Sequence, residues 1–296
     1  MKFVHFFLWL LFLVTVLASE YSKDEHVFEL TPKNFEKVVY NTNFTTVVKF
    51  YAPWCGYCKQ LAPIYHKLGK YFHKDTQLAV NVAGVDCDKQ ANKELCSRFR
   101  IQSFPTIMVF RPPKYSREKP PTKPLRHASE VYSGERSFKA ISSFATSRIK
   151  NYVPRFHSAD SPSLHKWFNL YPELAHVLLI SKSHSVSPLM KSLAVDFLSS
   201  VQFGMLTADS IPESLSVDGA EIDVTGDVPL LAYFDRENQK FVYYDRSEKL
   251  NNKTKISQWI IDVTGSVPLD GPLSKREVKN AKYRSGKKTT HEMDEL

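Results

Sequence analysis

The stretch Phe50-Tyr51-Ala52-Pro53-Trp54-Cys55-Gly56-Tyr57-Cys58-Lys59 decides the fold and most of the chemistry. The β-branched and aromatic run 46–51 predicts a strand bounded by turn residues. A helical apolar spacing starts directly after it, over 55–72. This order puts Cys55 near a helix N-terminus, where unpaired backbone N–H groups and the positive end of the helix dipole favour a thiolate. Cys58 sits one turn further in, within reach of a disulfide made by Cys55. The predicted layout is an exposed attacking sulfur with a resolving sulfur behind it, as thiol–disulfide exchange requires. A bare Cys-x-x-Cys also serves zinc, but a structural zinc site needs four ligands. The remaining cysteines, Cys87 and Cys96, lack the spacing of a common zinc knuckle. An inert structural disulfide fits poorly with Trp54 and the strand-to-helix setting.

Further matches fall in register along the chain: Pro63 within the helix, Val85-Asp86-Cys87 at a strand end, Leu95-Cys96-Ser97-Arg98-Phe99 in the next helix, Ser103-Phe104-Pro105-Thr106 in a loop, and Val131-Tyr132-Ser133-Gly134-Glu135-Arg136 at a final strand and turn. These residues resemble the thioredoxin superfamily, and the protein disulfide isomerases in particular. Arg-Pro-Pro-Lys at 111–114, Tyr-Ser-Gly-Glu-Arg at 132–136 and Ser-Arg-Ile at 147–149 are similar to the small fungal isomerases of the endoplasmic reticulum with one active thioredoxin domain. The resemblance covers residues 27–152 and weakens beyond.

The resemblance implies several roles. Phe104-Pro105 would carry a cis proline beside the sulfurs, exposing backbone to an extended substrate and keeping metal from the thiols; the alternative is a plain turn proline. Arg136 matches an arginine that swings toward the resolving cysteine; the alternative is an ordinary surface arginine. Tyr57 stands where eukaryotic isomerases carry a histidine, so one charge that would stabilise the Cys55 thiolate is missing from the Cys55-Gly56-Tyr57-Cys58 turn. Trp54, Tyr57, Phe104 and Pro105 form the expected substrate-binding rim. Lys49 stands where the family buries a Glu or Asp that takes the resolving cysteine's proton. Strand alternation places Lys49 and Tyr51 on one face. There Lys49 is either buried beside Cys58, with a lowered pKa, or drawn out to the surface on its aliphatic stem. Cys55–Cys58 is the expected redox-active disulfide. Cys87 and Cys96, at a strand end and inside the following helix, read as a structural disulfide in an oxidising compartment; two buried free thiols or a second redox pair are the alternatives.

Residues 1–19 read as a secretory signal peptide: Lys2, then an apolar run to Leu17, then small residues. The run is short for a membrane span. Met293-Asp294-Glu295-Leu296 resembles an endoplasmic-reticulum retrieval signal with Met293 in place of the usual basic residue. Together with the redox motif, both ends place the chain in the lumen of the endoplasmic reticulum. Asn43-Phe44-Thr45 and Asn252-Lys253-Thr254 are glycosylation sequons. The formal charge is +9, but its basic excess lies partly in the tail and partly in the Pro-rich segment 111–126, which reads as a solvated loop rather than a nucleic-acid surface. No histidine cluster with ligand spacing, Gly-rich phosphate loop or Ser/His/Asp set appears, and neither metal nor cofactor is expected.

A length of 296 residues suggests two domains. Strands at 27–30, 46–51, 79–85, 107–110 and 130–132 alternate with helices at 32–40, 55–72, 89–99 and 137–152. The second half repeats the pattern without cysteines, with Val228-Pro229 in the place of Phe104-Pro105, although 207–226 shows no clear middle helix. The predicted fold class is α/β: two tandem thioredoxin-like domains, each a central mixed sheet flanked by helices. The predicted division is a redox-active domain at 20–152, a redox-inactive one at 153–268, and a basic flexible tail at 269–296. The predicted function is that of a protein thiol–disulfide oxidoreductase/isomerase, a protein disulfide-isomerase acting on unfolded or misoxidised secretory proteins. Its redox partner would be a thiol oxidase or glutathione, and its tail would engage a retrieval receptor. The rivals are a client-binding chaperone with incidental sulfurs and a dedicated disulfide reductase.

Overall fold

The computed structural model of the chain describes residues 19–118, 125–207, 214–217, 219–224 and 228–284. The expected signal peptide, apart from Ser19, and the Met293–Leu296 signal lie outside these residues.

The central strand of the first sheet is β2 (Thr45–Tyr51), buried along its whole length. Around it lie β1 (Phe28–Leu30), β3 (Val80–Asp86), β4 (Thr106–Arg111) and β5 (Ala128–Val131), in the order β1-β3-β2-β4-β5. The pairs β1–β3 and β2–β3 are parallel, and β2–β4 and β4–β5 antiparallel. Because β2 is covered on both faces, its apolar residues Val47, Val48, Phe50 and Tyr51 do not alternate with polar ones along the strand. Val47 and Tyr51 face α1 (Gly56–Lys70) and α3 (Phe138–Ser147), packing with Leu61, Tyr65, Leu68, Ile141 and Ala145. Val48 and Phe50 face the opposite layer, built by α2 (Lys93–Arg98) and a π-helical turn at Glu36–Tyr40, with Phe35, Val39 and Leu95.

The second sheet repeats this topology. Its strands are β6 (Arg155–Phe156), β7 (Ala175–Ser181) and β8 (Val201–Thr207), then, after the separate antiparallel hairpin β9 (Ser214–Val217) and β10 (Ala220–Asp223), β11 (Leu230–Asp235) and β12 (Lys240–Tyr243). Read from its β6 edge, the order is β6-β8-β7-β11-β12, with the same succession of parallel and antiparallel pairs as the first sheet. Helices α4 (Pro162–Asn169), α5 (Pro188–Asp196) and α6 (Lys253–Thr264) flank it. The fold is thus two thioredoxin-like domains in tandem. At their junction the buried Lys253 ammonium lies 2.7 Å from the buried Asp196 carboxylate and donates to the Gln77 carbonyl at 2.7 Å.

The described part of 207–226, where the sequence shows no clear middle helix, holds the hairpin β9–β10, whose alternating Ala220 and Ile222 pack into the second domain's core. Two expectations change. The helix expected over 32–40 is helical only near its end, at Glu36–Tyr40. The tail is not a free tether from 269 onward. Leu269 N donates to the Asp196 carbonyl at 2.8 Å, and α7 (Lys275–Arg284) lies against the first domain. There Glu277 meets His73 at 2.9 Å, and the buried Arg284 guanidinium stacks over Phe28, 4.6 Å from the ring centroid. Charge pairs and one cation–π contact hold a segment whose apolar content is too low to announce a packed helix.

Candidate active site

Strand β2 ends at Tyr51 and α1 begins at Gly56, so the connecting turn presents Trp54 and Cys55 at the carboxyl edge of the sheet. Cys55 is the N-cap of α1, with extended backbone angles (φ −74°, ψ 117°). Its carbonyl accepts from the N–H groups of Cys58 and Lys59, both at 3.1 Å. Cys58 lies one turn inside the helix. Both are free thiols. The expectation of an exposed attacking sulfur is corrected: Cys55 is 9% exposed and Cys58 1%. The loop before β4 covers the pair, with the Cys55 thiol donating to the Phe104 carbonyl at 3.5 Å. Accessibility still differs in the expected sense, with Cys55 the outer sulfur.

Electrostatics separate the two thiols further. Burial opposes ionisation of Cys55. Hydrogen bonds from the Cys58 thiol and from the Cys58 and Tyr57 N–H groups, with the nearby Lys49 charge, outweigh it and hold Cys55 below the ordinary thiol range. Burial, and then the hydrogen bond and charge of Cys55, push Cys58 up to about 12, with Lys49 pulling the other way. Of the two thiols, Cys55 is therefore the readier to ionise and Cys58 the more firmly protonated.

The surroundings follow from the same two connections. Phe104–Pro105 is a cis peptide, as is Val228–Pro229 at the matching place in the second domain. Trp54 and Tyr57 stand out into solvent, 66% and 68% exposed. Trp54 meets Phe104 edge-on, with ring centroids 6.0 Å apart, and its indole N–H donates to Asp88 at 3.0 Å. Arg136 donates to the Pro105 carbonyl at 3.2 Å, on the loop rather than on a cysteine. Cys87 and Cys96 form a disulfide, bridging the end of β3 to α2. Cys87 N donates to the Tyr51 carbonyl at 2.8 Å, tying that bridge to the base of the active-site turn. Of the two glycosylation sequons, Asn43 uses its side-chain nitrogen to bond Asp270 at 3.2 Å. Asn252, exposed, caps α6 through its oxygen.

Lys49 takes the buried position: it is fully buried on β2, and its ammonium donates to the Cys58 carbonyl at 3.3 Å. Its remaining partners, Glu20 and Tyr21, were not singled out by sequence reasoning. The available signal was indirect: a lysine that stays inside needs a carboxylate. Which of 31 acidic residues supplies it is not written in the local pattern.

Residues 26–129 match the family described as Thioredoxin. Over 287 residues the chain is 37% identical to protein disulfide-isomerase MPD1 of Saccharomyces cerevisiae, covering 90% of this chain and 87% of that one. It is 34% identical over 206 residues to thioredoxin domain-containing protein C13F5.05, mitochondrial, of Schizosaccharomyces pombe, covering 70% of this chain and 52% of the relative. A putative protein disulfide-isomerase of Dictyostelium discoideum is 31% identical over 186 residues, covering 62% of this chain and 41% of its own. A thioredoxin fold carrying a dithiol at the strand-to-helix turn defines a thiol–disulfide oxidoreductase of the thioredoxin class. More closely, this chain belongs to the protein disulfide-isomerase family, and its activity is that of a thiol–disulfide oxidoreductase/isomerase.

Proposed function

We propose that Cys55 and Cys58 carry that activity, Cys55 as attacking nucleophile and Cys58 as resolving thiol. The observation that supports this best is the opposite displacement of the two thiols, Cys55 lowered at the N-cap of α1 and Cys58 pushed up to about 12 inside it. Acting as a reductant or isomerase, the Cys55 thiolate attacks a client disulfide and leaves a mixed disulfide. Cys58 then attacks the Cys55 sulfur and releases the reduced client thiol. Acting as an oxidant, the Cys55–Cys58 disulfide passes to a client by the reverse steps. Gly56 and Tyr57 shape the turn. Pro105, held by Arg136, sets the loop across the sulfurs. Trp54, Tyr57, Phe104 and Pro105 bind an extended client segment. The Cys87–Cys96 bridge is structural.

In this reading residues 20–152 form the redox-active domain, and a cysteine-free second domain from 153 supports client binding. The clients are unfolded or misoxidised secretory proteins. A thiol oxidase or glutathione resets the pair, and a retrieval receptor engages Met293–Leu296. The compartment is the lumen of the endoplasmic reticulum, supported by the apolar leader and the retrieval-like end. No helix among the described residues is long and apolar enough to cross a membrane. Fractionation against reticulum and mitochondrial markers tests the compartment.

Trapping tests the assignment of the cysteines. Cys58→Ser should accumulate client mixed disulfides and Cys55→Ser should not; the reverse pattern would exchange the roles. A Cys55→Ser/Cys58→Ser variant that still acts as a holdase, keeping unfolded clients from aggregating, would favour the chaperone reading instead.

A further inference from the structure

The segment 19–24 precedes β1 and lies across the first sheet as a strap. Tyr21, 1% exposed, inserts its ring against the sheet where Gly84 leaves room: a Cβ at Gly84 would lie 2.5 Å from that ring. The strap is anchored on both sides of the insertion. Glu20 N donates to the Tyr51 hydroxyl at 3.0 Å, and Tyr21 N to Glu29 at 3.2 Å. This anchoring carries the Glu20 side chain to Lys49. Both carboxylate oxygens accept from the Lys49 ammonium, at 2.9 and 3.0 Å, and the Tyr21 hydroxyl lies 2.6 Å from the same nitrogen.

We propose that Glu20 is a positioning residue for the resolving step. Its carboxylate holds Lys49 as an ammonium beneath Cys58, and that fixed charge favours the Cys58 thiolate while a mixed disulfide occupies Cys55. The inference rests on the resolving role of Cys58 given above. The groups facing Lys49 are Glu20 and Tyr21 from the strap, Tyr51 on its own strand, Cys58 and Tyr65 from α1, and Glu29 from β1. Cys55 and His66 are also within its field. Burial pulls the Lys49 pKa down, and the Glu20 hydrogen bond and charge are the largest influences raising it. Three aromatic rings stand 5.0, 5.0 and 5.6 Å from the ammonium and stabilise a cation but hold no counter-charge. Among the described residues only Glu20 places a carboxylate in direct contact with the Lys49 ammonium, and it belongs to a segment that is not part of the sheet.

In the step concerned, Cys58 releases its proton to solvent and its sulfur attacks the Cys55 sulfur of the mixed disulfide. The Cys55–client S–S bond breaks, and the Cys55–Cys58 bond forms. The client sulfur leaves as a thiolate and takes a proton from solvent, so protons and electrons balance with no external oxidant. A buried ammonium next to Cys58 stabilises the transient thiolate. Without Glu20, burial favours the neutral amine and that stabilisation weakens.

The test uses the full chain with thionitrobenzoate placed on Cys55; release of the chromophore reports attack by Cys58 directly. Glu20→Gln should slow release at neutral pH by about tenfold and move the pH profile upward by about one unit, the equivalence of those two figures being a matter of ionisation. Glu20→Asp, which keeps the charge, should recover most of the rate. In a Lys49→Gln background, Glu20→Gln should have no further effect, because the residue acts through Lys49. An unchanged rate and pH profile in Glu20→Gln would overturn the proposal. So would an equal loss in the Lys49→Gln background, which would show that the strap matters only for packing. The cysteine assignment fails separately: it falls if Cys58→Ser releases thionitrobenzoate as fast as the unaltered chain.

Discussion

Replacing both bridge cysteines by alanine, Cys87→Ala/Cys96→Ala, should weaken the first domain while leaving the chemistry intact. The bridge closes a segment with a sequence separation of 9. Loop-closure entropy for a ring of that size gives about 2.5 kcal/mol of stabilisation. Both sulfurs also sit in the core beside Phe35, Phe50 and Leu95, and shortening the two side chains to methyls adds about 1 kcal/mol together. A total of about 3.5 kcal/mol corresponds to a fall in melting temperature of roughly 10–15 °C for a domain of this size. The assay is thermal unfolding followed by calorimetry, with the first domain's transition separated from the second's. The thiol reactivity of Cys55 should change little below the transition, because the Cys55 N-cap bonds do not pass through the bridge. A variant melting within about 2 °C of the parent would refute the view that the bridge stabilises the first domain.

Other outcomes follow from the same geometry. Burial raises Glu29 from its ordinary 4.5 to about 7, against the Tyr51 and Tyr21 hydrogen bonds; because the folded pKa is the higher one, its favourable contribution is complete below about pH 4.5 and lost as pH rises through 7. Glu29→Gln should therefore leave stability unchanged at pH 4 and raise it by up to about 3 kcal/mol at pH 8, measured by urea unfolding at both pH values. Lys253→Met leaves Asp196 buried without its counter-charge, at a cost of about 3–5 kcal/mol. Burial holds Asp196 near 7 despite Lys253, so the loss should be smaller at pH 5 than at pH 8, read as chemical denaturation and as protease nicking between the domains. Trp54→Ala should raise KM for a protein client by about tenfold, the scale of one exposed aromatic anchor, with glutathione disulfide turnover nearly unchanged.

The decisive parts of this protein are local, and they are legible as such. The strand–turn–helix that places Cys55 at an N-cap is written in ten consecutive residues, Phe50–Lys59. The strands of both sheets stand out because β-branched and aromatic runs alternate with helical spacing. Contacts formed by distant segments are a different matter. The carboxylate that meets Lys49 comes from a residue 29 positions earlier, in a stretch with no periodic pattern. Helix α7 has few apolar side chains and docks through Glu277, His73 and Arg284, so its composition resembles that of a solvated tail. The hairpin β9–β10 replaces a helix within a domain whose sheet order is otherwise unchanged, a local substitution that leaves the rest of the pattern intact. Burial of Cys55 is likewise a property of the loop at Phe104, nearly fifty residues away along the chain.

The division of labour between the two active-site thiols is tested most directly by alkylating the fully reduced chain with a trace of iodoacetamide at pH 7 and mapping the labelled peptides with time. With Cys58 pushed up to about 12, only about one part in 10⁵ of it is ionised at that pH, against about one part in 10² for an ordinary thiol. Cys55, lowered below the ordinary range, should therefore take label at least ~10³ times faster. Comparable rates at the two positions, or label arriving first on Cys58, would contradict the assignment of Cys55 as the attacking sulfur.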